Sequence, residues 1–268
     1  MPTATYQTIE FATDGGVATI TLNRPDRLNA WNEQFGNELR EAILGDAADP
    51  SVRAVLITGA GRGFSSGADL KEMIERGASG EPAPDVGDLL RERYHPIIKG
   101  IRELPKPVVA AVNGPAVGIG CSLALACDLI WAAESSYFGL AFVKIGLVPD
   151  GGSTLLVPAA LGKARSLEMA LLGDTVPAPQ ALDWGLINRV VPDASLMDEA
   201  GALAKRLAAG PTRAYGQAKR ALNNSILKLM DEQLDLEAEI QSEMSGSADF
   251  LEGVTAFVQK REPQFKGE

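Results

Sequence analysis

Asp150 lies in the stretch "KIGLVPDGGS" (Lys144 to Ser153), between Pro149 and the pair Gly151-Gly152, with apolar residues on both sides. A carboxyl in that setting has two readings. Pro-Asp-Gly-Gly is turn chemistry, and the side chain can cap the next helix. Alternatively, the acid points into an apolar pocket and exchanges protons with a ligand. Two further stretches share the pattern of apolar strand, glycine-rich loop and helix: "VLITGAGRGFSSGADLKEM" and "VVAAVNGPAVGIGCSLALA". Glycine lets backbone approach a ligand closely, and a helix start presents unpaired N–H groups. Two such loops facing each other supply two donors to one oxygen, an oxyanion hole; taken singly, each is an ordinary tight turn. Neither loop fits GxxxxGK[ST], and neither fits GxGxxG with an acid at the end of the following strand, so nucleotide phosphates are poor candidates.

Composition removes other chemistries. The formal net charge is −10, which argues against nucleic acid and anionic membranes as partners. An anionic ligand must then be met by local basic residues or helix N-termini. His95 is the one histidine, which disfavours Ser-His-Asp and Cys-His catalysis unless His95 is the base, and excludes a multi-histidine metal site; no metal is expected. Cys121 and Cys127 sit in one apolar run and read as buried thiols, with spacing that suits neither a disulfide framework nor zinc. No run of about 18 apolar residues is present, and "MPTATYQTIEF" lacks the basic and apolar segments of a signal peptide. A cytoplasmic protein that does not enter membranes is expected.

The secondary structure around these residues is legible in outline. "TYQTIEFATDGGVATITLNRP" reads as a hairpin turning at Asp14-Gly15-Gly16, with Ala18, Ile20 and Leu22 alternating against Val17, Thr19 and Thr21. "NEQFGNELREAILGDA" has Phe35, Leu39, Ala42 and Ile43 at helical spacing. "RAVLITG" and "KPVVAAVNG" are short buried strands. Helices are expected from "LKEMIER", from "LLRERYHPIIKGIREL" with an interruption near Pro96, and from "CSLALACDL". "IWAAESSYFGLA" holds two strand-like pieces around a turn, and Gly77 to Gly87 reads as a flexible Gly/Pro insertion. After Asp193 the chain is helical and looks like an appendage. Strands alternating with helices give an α/β core.

Several motifs in order resemble the crotonase (enoyl-CoA hydratase/isomerase) superfamily: "TLNRPDRLNA", "GRGFSSGADLKEM", "KPVVAAVNGPAVGIGCSLALACDLIWA", "FGLAFVKIGLVPDGGSTLLVPAALG" and "ALDWGLINRVV". "GEPAPDVGDL", "FVKIGLVPDGGST" and "SADFLEGVTAFVQKREPQFKG" resemble, within it, the isomerases of ring-epoxide phenylacetyl-CoA. The resemblance implies an α/β fold, a crotonase-like spiral of ββα units over residues 1–192 with a C-terminal helical trimerisation region over 193–268. It implies an acyl-CoA thioester as substrate, no cofactor beyond the coenzyme A that belongs to that substrate, and a homotrimer or dimer of trimers.

By motif position the two oxyanion donors are the backbone N–H groups of Ala68 and Ile119. Ile119 departs from the glycine common in hydratases, which is tolerable because only its N–H is needed. Arg27, Leu28, Ser66, Ala68, Asp69, Leu70, Lys71, Gly120 and Phe142 fall at substrate or CoA positions. For Asp69 a helix N-cap is the competing reading, for Arg27 and Lys71 a solvated face, and for Phe142 core packing. Hydratases use two glutamates to handle water, and their positions here carry Ser122 and Phe142. Neither is a base near neutral pH, and each lost acid–base group costs about 10²–10⁴ in rate. Asp150 remains, and one base suffices to move a double bond. Burial among Leu147, Val148 and Phe142 should raise its pKa. An isomerase is therefore expected, acting on 3-enoyl-CoA or on a ring-1,2-epoxyphenylacetyl-CoA. The alternatives are a 2-enoyl-CoA hydratase with a single carboxylate and a non-catalytic acyl-CoA binder. Asp128 is expected to tie down backbone N–H groups and His95 to lie at the surface or serve packing, while Tyr94, like Phe142, either walls the acyl pocket or packs in the core.

Overall fold

The computed structural model describes residues 6–78 and 85–268. Strands β1 (Ile9–Asp14) and β2 (Val17–Leu22) form the expected hairpin, with Gly15 and Gly16 both at positive φ in the turn. From β2 onward the main sheet is parallel: β2, β3 (Ala54–Gly59), β4 (Val108–Val112), β6 (Leu129–Ala133) and β9 (Arg189–Val191) follow in spatial order. A second sheet holds β5 (Pro115–Val117), β7 (Tyr137–Gly139) and β8 (Val176–Pro177). Ser65 extends it by one bridge to Ala116.

The chain therefore winds as repeated units, each visiting the main sheet, the second sheet and a helix. One turn is β3, Ser65 and α2 (Leu70–Ala78); the next is β4, β5 and α5 (Ile119–Ala126); the third is β6, β7 and α6 (Ser153–Leu172). This is the expected spiral of ββα units. β6 and β7 are not a hairpin, because the turn between them carries the chain from one sheet to the other.

Burial explains the sequence pattern. Parallel strands covered on both faces are apolar throughout. Val55 and Ile57 of β3, with Val108, Ala110 and Val112 of β4, face the larger core beside α1 (Glu33–Leu44), α4 (His95–Glu103) and α5. Ala54, Leu56, Val109 and Ala111 face a second core. That second core is closed by Leu196, Ala200, Leu203, Ala204 and Ala208 of α8 (Leu196–Ala209). The helices after residue 193 are thus no detached appendage: α8 is a core layer, and α10 (Met230–Ser245) packs against α3 (Val86–Leu89) and α6.

The interruption near Pro96 is a widened turn. α3 runs into a π-helical turn at Leu90–Tyr94, and α4 then starts with Pro96 in its first turn, where a missing N–H is tolerated. Of the insertion expected over Gly77 to Gly87, residues 79–84 lie outside the described residues, and Val86 and Gly87 are helical.

Candidate active site

The two glycine loops are fastened to each other. Val117 N–H donates to Ser65 O at 2.9 Å, and Ser65 N–H to Pro115 O at 2.9 Å. A Cβ on Gly120 would stand 2.5 Å from Ser65 O, and one on Gly67 (φ +94°) 3.0 Å from Val117 O and 3.8 Å from Gly118 Cα. Only glycine permits that approach. Gly118 itself has φ 56° and ψ −131°, a region closed to residues with a Cβ. Ala68 and Ile119 follow these two touching glycines, and neither N–H donates to any group among the described residues. Ile119 opens α5, a helix buried along its whole length, so its N–H adds the positive end of a helix dipole in a weakly screened setting.

Asp150 reaches the same place from the third turn of the spiral. A Cβ on the adjacent Gly151 (φ +63°) would stand 2.4 Å from Ile119 Cδ1 and 2.9 Å from Ser122 Cβ. Ser122 Oγ donates to Asp150 O at 2.7 Å, which ties the loop to α5. The Phe142 ring also faces this junction, 3.8 Å from where a Gly118 Cβ would lie. The helix-cap reading of Asp150 does not hold: Gly152 is the N-cap of α6, and the Asp150 carboxyl accepts no N–H from that helix start. Asp150 is 4% exposed. Its Oδ2 accepts an N–H from Gln241 at 2.7 Å, while Oδ1 is buried without a partner among the described residues. Burial, reinforced by the charge of Glu237 and opposed by the Gln241 N–H, pushes its pKa up to about 8.

Glu237 and Gln241 went unremarked in the sequence. Both lie on α10, one turn apart on one face. Glu237 accepts from Gly152 N at 2.8 Å, Thr154 N at 3.1 Å and Thr154 Oγ, holding the loop beyond Asp150. Burial raises its pKa against those hydrogen bonds. Gln241 also donates to Val148 O at 2.9 Å, holding the loop before Asp150. A signal was present: positions 234, 237, 238 and 241 share the buried face of α10, and two of them are polar.

The expected CoA positions share one rim. Ser66 N–H donates to Leu28 O at 2.9 Å, and Trp31 and Ala68 form a β-bridge through Trp31 N to Gly67 O and Asp69 N to Trp31 O. Arg27 and Lys71 are exposed on this rim without an ion pair among the described residues, and Leu28, Ser66 and Leu70 are half-buried. Asp69 is turned inward: it pairs with Arg24 at 3.0 Å and accepts Glu72 N–H at 3.2 Å in the capping role. Its carboxylate faces these protein partners, in keeping with the competing helix-cap reading. Gly120 acts by letting the loops touch.

The remaining candidates are structural. Asp128 accepts from Val108 N at 2.8 Å and pairs with Arg102 and Lys219. His95 is buried, and desolvation lowers its pKa to about 4, so it is a neutral core residue. Tyr94 packs edge-on against Trp31 with ring centroids 4.9 Å apart. The surface grooves along α4, α9 (Thr212–Ile226) and α10 border His95 but hold none of the loop residues above. Among the described residues no helix is long and apolar enough to cross a membrane.

A ββα spiral whose glycine loops meet at a helix start, with a helical layer packed behind, defines a crotonase-type enzyme. The chain belongs to the enoyl-CoA hydratase/isomerase family, whose sequence profile it matches over residues 12–268. It is 46% identical over 252 residues to 1,2-epoxyphenylacetyl-CoA isomerase from Escherichia coli (strain K12), covering 94% of this chain and 95% of that protein. It is 35% identical over 251 residues to 2,3-dehydroadipyl-CoA hydratase from the same strain, covering 94% and 95%. A crystal structure of an enoyl-CoA hydratase from Mycobacterium avium subsp. paratuberculosis K-10 superposes with a TM-score of 0.87 at 41% identity, covering 98% of this chain and all of that one.

Proposed function

We propose that this enzyme is an acyl-CoA isomerase that moves a double bond from the 3-enoyl to the 2-enoyl position or rearranges a ring-1,2-epoxyphenylacetyl-CoA. The observation that carries the reading is Asp150: a buried carboxyl with one unpartnered oxygen, on a loop whose Gly151 lies against Ile119, the helix-start residue with the unpaired N–H. In the double-bond shift Asp150 takes a proton from C2 of the acyl chain. Negative charge moves onto the thioester oxygen, where the Ala68 and Ile119 N–H groups hold it. Asp150 then returns the proton at C4, so no atom is gained or lost. Ser122 is committed to the Asp150 backbone and Phe142 is apolar, which leaves no second base to activate water. The similarity to the E. coli epoxide isomerase supports the aromatic substrate.

Arg27 and Lys71 meet the CoA phosphates on the rim, and no cofactor apart from the substrate's own coenzyme A takes part. A homotrimer or dimer of trimers in the cytoplasm completes the reading. Exposed Leu222 and Ile226 on α9, with Leu251 and Phe257 on α11 (Ala248–Gln259), support association.

The test is mass spectrometry of 3-enoyl-CoA and 2-enoyl-CoA incubated with the enzyme in heavy water. Deuterium uptake with migration of the double bond is expected. Gain of water by the 2-enoyl-CoA at a comparable rate would establish the single-carboxylate hydratase instead, a reaction named in the other E. coli relative.

A further inference from the structure

We propose that Gln241 is a positioning residue that reserves one oxygen of Asp150, Oδ1, for proton exchange with the substrate. This rests on the reading of Asp150 as the proton carrier and adds which of its atoms carries the proton and what makes the choice.

The hydrogen-bond geometry decides the matter. The Gln241 atom nearest Asp150 Oδ2, at 2.7 Å, is also 2.9 Å from Val148 O. A carbonyl oxygen only accepts, so the atom between the two is the amide nitrogen, and both of its N–H groups are used. Gln241 Oε1 faces Val148 N–H at 3.4 Å, which aligns the amide with the Val148 backbone. The side chain is wholly buried, and α10 fixes its origin. Asp150 Oδ2 therefore always faces a donor. A proton on Oδ2 would collide with that N–H, so the proton resides on Oδ1, the oxygen without a partner. Rotation of the carboxyl, which would exchange the two oxygens, breaks the Gln241 bond.

The charged and titratable groups around Asp150 leave Gln241 as its stabilising neighbour. Glu237 approaches from α10 and disfavours a second negative charge on Asp150, while Tyr94, on the π-helical turn before α4, is a neutral phenol whose own ionisation Asp150 opposes. Among the described residues Gln241 alone lowers the proton affinity of Asp150. Removing its N–H should therefore raise the pH at which the carboxylate forms, and free the carboxyl to turn.

The experiment is the pH dependence of kcat/KM for wild type, Gln241→Met and Gln241→Glu with 3-enoyl-CoA. The midpoint of such a profile does not depend on how much of a preparation is folded, so a poorly folding variant still reports. The midpoint should rise by about one pH unit in Gln241→Met, the effect of one hydrogen bond to a charged group, and further in Gln241→Glu, where a second carboxylate joins Glu237 in facing Asp150. In Gln241→Met kcat should fall by roughly 10–100-fold with KM unchanged within about twofold, as expected when only orientation is lost. Midpoints that coincide in all three proteins, or a loss carried by KM alone, would overturn the proposal. Asp150→Asn, assayed alongside, separates the two readings. If it is inactive while the midpoints coincide, only the role of Gln241 falls; if it keeps near-wild-type activity, both fall together.

Discussion

Replacing Asp150 with asparagine should make the protein more stable while abolishing its reaction, and the gain should grow with pH. The carboxyl sits at about 8 in the folded chain against an ordinary 3.8. Below about pH 4 both folded and unfolded chains hold the proton and the group costs nothing. As pH rises past that point the unfolded chain releases a proton that the folded chain keeps, so stability falls by about 1.4 kcal/mol per pH unit until the folded carboxyl ionises near pH 8. At pH 7 the accumulated cost is about 4 kcal/mol. Asparagine keeps the shape, and its amide oxygen still accepts from Gln241. Its NH₂, however, takes the place of Oδ1 with no partner, at a cost of about 1–3 kcal/mol. The net gain at pH 7 is then about 1–3 kcal/mol, near zero at about pH 5 and largest above about pH 8. His95 titrates with the opposite slope between about 4 and 6.5, so the quantity to measure is the difference between variant and wild type, in which His95 cancels. Urea midpoints of both proteins across this range, with turnover of 3-enoyl-CoA on the same samples, give the answer. A difference that is flat with pH would refute the buried, proton-holding carboxyl. Activity within a few-fold of wild type would refute its role, because loss of the base is expected to cost about 10²–10⁴ in kcat/KM.

The other predictions are more local. Gly118→Ala forces a Cβ into a glycine-only backbone region just before Ile119, so kcat/KM should drop about 10²–10³-fold as that N–H is re-aimed, with an unchanged far-ultraviolet circular dichroism spectrum. Lys219 is buried against Asp128 at 2.8 Å and also donates to Ile101 O at 2.6 Å. Lys219→Met should lower stability to denaturant by about 3 kcal/mol, the low end for a broken buried pair because Arg102 still meets Asp128, and should leave kcat as it was. The single histidine resonance, followed by NMR, should stay neutral down to about pH 5 and titrate near 4. Stability from this group is therefore lost as pH falls from about 6.5 through 4, the unfolded chain taking up a proton that the folded one refuses.

Local structure is written in short windows of residues, because the faces an element buries impose a pattern on them. Period-2 alternation in β2, the unbroken apolar runs of β3 and β4, and the Phe35–Leu39–Ala42–Ile43 stripe of α1 each follow from the face that element buries. The glycines at 67, 118 and 120 and the solitary Asp150 were legible for the same reason: a Cβ does not fit where Gly67 and Gly120 meet the facing loop, Gly118 takes a backbone region closed to other residues, and an acid amid apolar residues is conspicuous. What those residues meet is set by long-range packing. Whether "IWAAESSYFGLA" turns back on itself or passes to a second sheet depends on β9 taking the edge beside β6. That Asp69 pairs with Arg24, and that Ser122 anchors Asp150 rather than facing a ligand, depends on how successive turns of the spiral stack. The partners that define Asp150, Glu237 and Gln241, stand 87 and 91 residues further along, on a helix whose own pattern shows only two polar residues on a buried face. A carboxyl's proton affinity is set by the solvent it loses and the charges it meets within a few ångströms, and which charges those are is fixed when α10 closes over the loop.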